Sequence, residues 1–437
     1  MKTTSELKYL LNTGWKLPFF TIWTGQAFSL LGSALVGFAL IWWMTETTGS
    51  ATVLATAAMF EFLPKVLAGP LAGTLVDRWN RRHVMLVADT VTALATALLI
   101  YFVWAGNLQI WQIYLVMAVR STAGAFHTPA MMSSTSLMVP EEQLTRVQGL
   151  NQLLLGVINV AAPVLGALLL AFLPLHSVLA VDIGTAALAI LPLLLIFIPQ
   201  PEVNPASKEE AAGVWEDMRL GFSYVWRWKG LRNIIFLAVL INLISVPAIT
   251  LMPLLVKNEF GGAAMEVATM QSSWAVGFLV GGILLSTWGG FRRKILTANL
   301  AMFGTAIGLL MVGFAHNIAF EMAIAGIFIA GAMNVLMNGP AFALLQTVVA
   351  DDMQGRVISL VLSLAGAMTP IGLLIAGPVA ERTGVSPMFL FASLIFIASG
   401  VFTYLNHNVR NIEDAYETSR TETRNATMVG STPLAGD

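Results

Sequence analysis

Long apolar runs alternate with short polar connections along most of the chain, and twelve of these runs are long enough to cross a bilayer as helices. A helix rises 1.5 Å per residue, so about 20 mainly apolar residues span the ~30 Å hydrocarbon layer. The pattern therefore predicts an all-α membrane protein with twelve transmembrane helices. The predicted segments are residues 17–43, 51–76, 84–105, 108–138, 145–173, 177–199, 231–256, 264–290, 294–314, 317–346, 356–380 and 385–406.

Polar stretches divide the twelve segments into two groups of six. Within the central stretch, Trp215, Met218, Phe222 and Val225 recur at helical spacing. They predict a helix that either lies in the membrane interface or packs on the bundle. The expected units are an N-terminal segment at 1–16, a six-helix bundle at 17–199, a linker at 200–230, a second six-helix bundle at 231–406 and a polar, disordered tail at 407–437.

Composition supports a membrane protein and narrows its chemistry. Of the 437 residues, 57% are hydrophobic and 11% are charged, against about 25% charged residues in soluble domains. Cysteine is absent and the histidines lack ligand-like spacing, so we expect no metal site and no bound cofactor. The net charge of −1 argues against a nucleic-acid partner. The sequence shows no pairing of a nucleophile with a base that would indicate an enzyme.

The basic residues are distributed unequally between the two sides of the predicted membrane. Of the 23 Lys and Arg residues, Lys257 and Arg382 lie on one side, Lys65 and Arg120 lie within the apolar segments, and the others lie on the opposite side. Because loops rich in Lys and Arg stay in the cytoplasm, we expect both termini to be cytoplasmic. The expected location is a bacterial inner membrane, which the chain crosses many times.

The two groups of six segments carry similar motifs. Residues 141–147 resemble residues 351–357, Pro129 and Ala130 correspond to Pro340 and Ala341, and residues 73–82 have a weaker copy at 282–293. Two six-helix halves with the same orientation are typical of transporters in which the halves rock around a site at the midplane. We therefore expect a transporter built from two parallel pseudo-repeats.

Several ionisable side chains lie within the apolar segments, where each needs a structural or functional reason. Glu61 and Lys65 share one helix face, and Arg120 lies deep in the fourth segment. We expect these three to form one buried cluster in which Glu61 exchanges the coupling proton. The alternative is that Glu61 and Lys65 form a structural pair. Asp182 joins the candidates for proton coupling, whereas Asp89 is expected to reach interfacial water.

The segment from Gly73 to Arg82 connects the second and third helices and is rich in charge. It resembles the loop motif of the major facilitator superfamily, with Asn80 in place of a second Gly. The resemblance implies a latch in which the Asp lies against the start of the eleventh helix and favours the outward-open state. The latch residues that it implies are Gly73, Asp77, Arg78, Arg81, Arg82 and Arg356.

Two further motifs resemble patterns of that superfamily. Arg120 followed by Gly124 is similar to a fourth-helix pattern linked to proton transfer. Residues 162–167, with Pro163 and Gly166, resemble a degraded fifth-helix antiporter motif, which implies export. The strings at 22–33, 45–51, 62–64, 120–130 and 139–145 are together similar to the macrolide-efflux branch of the drug:proton antiporters, and also to siderophore exporters.

The resemblance implies export of a bulky amphipathic compound such as a macrolide, driven by the proton gradient. Export of an endogenous metabolite such as a siderophore is the alternative, and a non-transporting membrane sensor is a third. The expected partners are the small amphipathic substrate and the lipid bilayer. A further expected partner is an ATP-binding or outer-membrane protein, and without one we expect the chain to act as a monomer. Candidate substrate contacts are Gln26, His127, Met131, Asn334 and Asn338, although methionine and a lone histidine in a helix often serve packing alone.

Overall fold

The computed structural model describes residues 14–200, 214–350 and 353–414, and these ranges are almost entirely helical. Most of the expected N-terminal segment, the first part of the linker and most of the tail lie outside the described residues. The first half contains α1 (Lys16–Thr48), α2 (Ala51–Arg78), α3 (Arg81–Trp104), α4 (Ile110–Met138), α5 (Glu141–Phe172) and α6 (Leu175–Leu195). After α7 (Val214–Arg227), the second half contains α8 (Lys229–Thr250), α9 (Met252–Phe260), α10 (Ala264–Trp288), α11 (Lys294–Phe314), α12 (Phe320–Val348), α13 (Gln354–Thr383), α14 (Ser386–Leu405) and the short α15 (His407–Arg410).

The long helices run back and forth between two faces of the molecule. The terminal face is the end of the bundle at which α1 begins with Lys16 and α2 ends with Arg78. The distal face is the opposite end, at which α1 ends with Thr48 and α2 begins with Ala51. The second half ends at the terminal face, because α14 runs from the distal face to Leu405.

Eleven helices of the described ranges are long and apolar enough to cross a membrane. The remaining predicted segment is α4, which has 29 residues. Its length is sufficient, but its sequence is more polar because it contains Arg120, Ser121, Thr122 and His127. Ser121 and His127 are buried among neighbouring helices, where their polar groups avoid lipid. The predicted twelve-helix membrane fold is thereby confirmed.

The helices of each half pack in a matching way. In the first half, α1 packs on α5 and α6, while α3 and α2 both pack on α4. In the second half, α12 packs on α10 and α11, and α8 packs on α13 and α14. The halves meet along two seams, α2 with α13 and α5 with α10. The internal repeat pairs α2 with α10 and α5 with α13, so the two seams are equivalent, as expected for rotated copies.

The seventh predicted segment, 231–256, forms two helices rather than one. Helix α8 has Pro247 in its last turn, and α9 begins with Pro253 in its first turn. Proline lacks the N–H group that a continuous helix requires and tolerates the first turn of a new one. The break at Leu251 directs α9 along the distal face towards α1.

The linker contains the predicted amphipathic helix, α7. Val225 is buried in a cluster with Leu231 and Val357, so one side of α7 packs on the second half. Phe222 and Trp226 stack on each other with ring centroids 5.2 Å apart and remain exposed on the other side. The helix thus combines packing on the bundle with an exposed aromatic side. The side chains of the other two predicted positions, Trp215 and Met218, lie outside the described residues.

The beginning of the tail is ordered, which corrects the expectation of a disordered segment from residue 407. Val409 and Ile412 are fully buried against the terminal end of the second half. The carboxylate of Glu413 accepts hydrogen bonds from the backbone N–H groups of Lys294 at 3.1 Å and Ile295 at 3.5 Å. It therefore satisfies free donors at the start of α11, where a negative charge is favoured.

Candidate functional site

A buried ion pair joins α4 and α6 inside the first half. Arg120 forms an ion pair with Asp182, whose residue exposure is 1%. The hydroxyl of Thr96 on α3 donates to Asp182 Oδ2 at 2.7 Å, and that of Ser33 on α1 donates to Oδ1 at 3.0 Å. Arg120 Nη2 also donates to the Ser33 carbonyl at 3.3 Å. Four helices thus surround one carboxylate and satisfy it almost completely.

Glu61 and Lys65 do not join this network. Lys65 Nζ lies 3.6 Å from Glu61 Oε1, and the two side chains are 46% and 41% exposed, respectively. The backbone carbonyl of Glu61 accepts a hydrogen bond from Ser121, which holds α2 against α4. The expected single cluster of Glu61, Lys65 and Arg120 is therefore wrong. Arg120 turns to Asp182 because that carboxylate is buried, whereas Glu61 and Lys65 neutralise each other in a more open place.

A second buried polar group contains two of the candidate substrate residues. Gln26 Nε2 donates to Asp89 Oδ2 at 2.8 Å, and His127 Nε2 lies 3.4 Å from Asp89 Oδ1. All three side chains are buried, and Asp89 is only 7% exposed. The expectation that Asp89 reaches interfacial water is thus wrong, because α1 and α4 cover it. Gln26 and His127 contact this acid rather than an open surface.

The remaining substrate candidates occupy different surroundings. Asn338 on α12 is exposed, and its Nδ2 donates to the carbonyl of Asn334 at 3.0 Å and lies 3.2 Å from Asn334 Oδ1. Together they form an amide pair on one helix face. Met131 on α4 is half-buried and packs on the apolar cluster that includes Ala130 and Val139. The side chain of Asn338 is thus not covered by other residues, whereas the methionine contributes to the packing of the first half.

The two halves are tied together at the distal face. Ser50 and the backbone N–H of Thr52 both donate to the carboxylate of Glu381 on α13. Lys257 of α9 donates to the carbonyl oxygens of Thr45 at 2.9 Å and Glu46 at 2.8 Å, at the end of α1. Sequence reasoning missed these contacts, because each of them joins residues far apart in the chain. The distal ends of the halves are therefore closed against each other.

The seam between α2 and α13 differs between its two ends. A Cβ at Gly377, near the distal end, would lie 3.0 Å from Thr52 Cα and 3.1 Å from Ala55 Cβ. A Cβ at Gly73 or at Gly355, near the terminal end, would meet no described atom within 4 Å. The helices are thus in tight contact near the distal face, whereas Gly73 and Gly355 near the terminal face have room for a side chain.

The described contacts of the latch residues lie within their own half of the protein. Arg82 donates to the carbonyl oxygens of Leu193 and Leu194 and so satisfies the end of α6. The backbone N–H of Arg81, whose side chain is buried, donates to Gln200 Oε1 at 3.1 Å. Arg78 is exposed, Arg356 Nη1 lies 3.5 Å from Met353 Sδ, and the side chain of Asp77 lies outside the described residues.

The antiporter-like motif lies where α5 contacts α1. Pro163 and Gly166 are both buried within α5. A Cβ at Gly166 would lie 2.8 Å from Phe38 Cδ1, so a larger residue would push α5 away from α1. The motif therefore allows a close helix contact of the kind that small residues permit in membranes.

Comparison with known proteins agrees with this architecture. The family model described as Major Facilitator Superfamily matches residues 22–361 and 234–427. Macrolide efflux protein A of Streptococcus pyogenes is 32% identical over 399 residues, which cover 91% of this chain and 98% of that protein. Multidrug efflux pump Tap of Mycobacterium tuberculosis is 27% identical over 398 residues, covering 88% and 92% of the two chains.

Among solved structures, that of the nucleoside transporter NupG is similar to this chain. It aligns with a TM-score of 0.65 at 13% identity, covering 88% of this chain and 98% of its own. At this identity the likeness concerns the fold alone.

Proposed function

The chain belongs to the Major Facilitator Superfamily, and from that premise we propose that it exports amphipathic drugs of the macrolide type in exchange for protons. The names of the two relatives describe macrolide and multidrug efflux, and both proteins match this chain over nearly their whole length. Members of this family are transporters, so the chain is a transporter and not an enzyme. The names of both relatives contain the word efflux, which supports export rather than uptake.

The buried Arg120–Asp182 pair is the observation that carries the coupling step. A charge inside the membrane is expensive unless it is paired. Protonation of Asp182 removes the negative charge and frees Arg120, and loss of the proton restores the pair. This exchange links proton movement to the conformation of α1, α3, α4 and α6, which all contact the pair. Glu61 and Lys65 are more exposed and neutralise each other, and their proposed part is that of a structural pair.

The proposed transport cycle is one of alternating access, in which the protein is closed first at one face and then at the other. The described conformation is closed at the distal face, and the proposed opposite state is closed at the terminal face instead. In that state α2 and the start of α13 approach each other near Gly73, which has room for a close contact. The proposed latch of that state consists of Gly73, Asp77, Arg78, Arg81, Arg82 and Arg356.

Substrate contact is assigned to the exposed amide pair of α12. Asn338 presents a polar group on a helix that is otherwise largely apolar, and Asn334 fixes its orientation. Sites for amphipathic ligands typically have a small number of polar groups within a mainly apolar lining. Gln26 and His127 contact Asp89 inside the first half and are given no part in substrate contact, and Met131 packs in the apolar cluster of that half.

Accumulation of labelled erythromycin in energised cells that lack their own drug pumps tests the proposal. Cells with the protein are expected to accumulate less drug than cells without it, and an uncoupler should abolish the difference. The Asp182→Asn variant should accumulate drug like cells without the protein, because it cannot exchange the proton. Glu61→Gln, the matched change of a more exposed acid, should still export. Equal accumulation with and without the wild-type protein would reject drug export, and full export by Asp182→Asn would reject this acid as the proton carrier.

The proposed location is a bacterial inner membrane with the terminal face in the cytoplasm and the chain working as a monomer. Its support is the excess of Lys and Arg in the connections at that face. Alkaline phosphatase, which is active only outside the cytoplasm, should be inactive when fused after Leu405 and active when fused after Trp104. The reverse pattern would contradict the orientation.

A further inference from the structure

The polar groups inside the first half form two layers with a regular spacing. One layer surrounds Asp182, and the other surrounds Asp89. On each of three helices, the residue of one layer lies seven positions from the residue of the other. The pairs are Gln26 and Ser33 on α1, Asp89 and Thr96 on α3, and His127 and Arg120 on α4. Seven residues are two helical turns, so the layers lie about 10 Å apart along the bundle.

The layer around Asp89 is the one closer to the terminal face. Helices α1 and α3 begin at that face and reach Gln26 and Asp89 before Ser33 and Thr96. Helix α4 runs in the opposite direction and reaches His127 after Arg120. The two layers therefore line up from the membrane interior towards one face of the protein.

Two buried polar atoms of the Asp89 layer lack a hydrogen-bond partner among the described residues. Gln26 is 1% exposed, and its Oε1 atom has no hydrogen-bond partner among the described residues. His127 Nε2 lies 3.4 Å from Asp89 Oδ1 but lacks the alignment of a hydrogen bond. Buried polar atoms are normally satisfied, and unsatisfied ones often mark a functional site. The imidazole needs only a small movement to donate a proton to the carboxylate.

The charges that face Asp89 are few within the described part of the chain. His127 on α4 is the titratable group beside it, and α1 contributes the neutral Gln26. On α6 the acid is Asp182, two turns farther into the membrane. On α3 itself, Arg82 lies two turns before Asp89 and donates to the end of α6, and His83 is exposed at the terminal face. His127 is therefore the titratable side chain in direct contact with Asp89.

We infer that Asp89 and His127 form a second proton-exchanging site, which passes protons between Asp182 and the terminal face. This inference rests on the proposed role of Asp182 as the carrier of the coupling proton. A proton leaves the carboxyl group of Asp182, is taken up by the Asp89–His127 pair and is released to water at the terminal face. Only O–H and N–H bonds form and break. The distance between the layers requires bridging water for the transfer.

Infrared titration of the purified full-length protein tests the site without any substrate. We expect a C=O band of a protonated carboxylic acid that appears on acidification and disappears in Asp89→Asn. Its midpoint should move by about one pH unit or more in His127→Gln. Glu61→Gln, which changes a more exposed acid, should leave that band in place. A band that persists in Asp89→Asn, or a midpoint that does not move in His127→Gln, would overturn the inference. The histidine variant decides the matter if Asp89→Asn does not fold.

Transport by reconstituted protein separates this site from the proposed function. Erythromycin counterflow exchanges drug for drug, whereas uptake driven by a pH gradient requires proton exchange. In both variants we expect counterflow within about twofold of the wild-type rate and gradient-driven transport reduced about tenfold or more. Equal loss of both activities would show a structural role, and retention of both would show no role, so either result overturns the inference. A wild-type protein with counterflow but no response to the gradient would instead reject the proposed proton coupling.

Discussion

Replacement of Arg120 by leucine is expected to destabilise the first half and to abolish export. Leucine removes the cation that faces Asp182, so that carboxylate is left buried with only the hydroxyl donors of Ser33 and Thr96. Removal of one partner from a buried ion pair costs about 3–5 kcal/mol. Asp182→Leu leaves the opposite defect, a guanidinium group without its carboxylate, and should have a similar cost.

The double replacement of Arg120 and Asp182 by leucine separates stability from transport. A buried ion pair exchanged for apolar residues is often neutral for stability, so the double variant should regain most of the unfolding temperature that each single variant loses. It should remain inactive, because it carries no exchangeable proton. The measurements are thermal unfolding of the purified protein and drug accumulation in cells. An active double variant would show that this pair does not couple transport to protons.

The pair of Glu61 and Lys65 provides the matched control. It also joins an acid and a base within a membrane helix, but both side chains are more than one third exposed. Exposed ion pairs contribute about 0–1 kcal/mol, so Lys65→Leu should change the unfolding temperature far less than Arg120→Leu does. Equal effects at the two positions would contradict the difference in burial on which the argument depends.

Sequence alone predicted the contacts that depend on local spacing. Glu61 and Lys65 lie four residues apart on one helix, and the expected i, i+4 pair is present because helix geometry determines it. The boundaries of most membrane helices follow in the same way from the length of their apolar runs. The exception is the break at Leu251, which Pro247 and Pro253 could have indicated.

The contacts of Arg120 and Asp89 depend on how separate helices pack, and the sequence analysis missed them. Arg120 and Asp182 are 62 positions apart and meet only because α4 and α6 pack around α3. Asp89 lies about two turns inside its helix, which is too far for a short side chain to reach water easily. Polar residues repeated at intervals of seven on three helices were a signal of a shared buried face.

Leucine at Gly377 is expected to open the distal face. Even the first side-chain carbon there would lie 3.0 Å from Thr52 Cα and 3.1 Å from Ala55 Cβ, so α2 and α13 must separate. Overpacking costs about 1–3 kcal/mol, which shifts a two-state equilibrium by roughly five- to a hundredfold. The chain contains no cysteine, so a single Ala55→Cys reports this opening. Its labelling by a membrane-impermeant maleimide, added from the distal side, should rise when Gly377→Leu is introduced, and export should be lost.

Gly73→Leu tests the other end of the same seam and should give the opposite conformational result. The described state has room for the side chain, since a Cβ at Gly73 meets no described atom within 4 Å. The proposed terminal closure does not have this room, because α2 and α13 must approach each other there. We therefore expect lost export without increased labelling of Ala55→Cys. Gly184→Leu is the control, since Gly184 is exposed on α6, which packs on α1 and α3, and export should persist. If Gly73→Leu exported drug as well as Gly184→Leu does, α2 and α13 would not close at Gly73, and the opposite state would need a different gate.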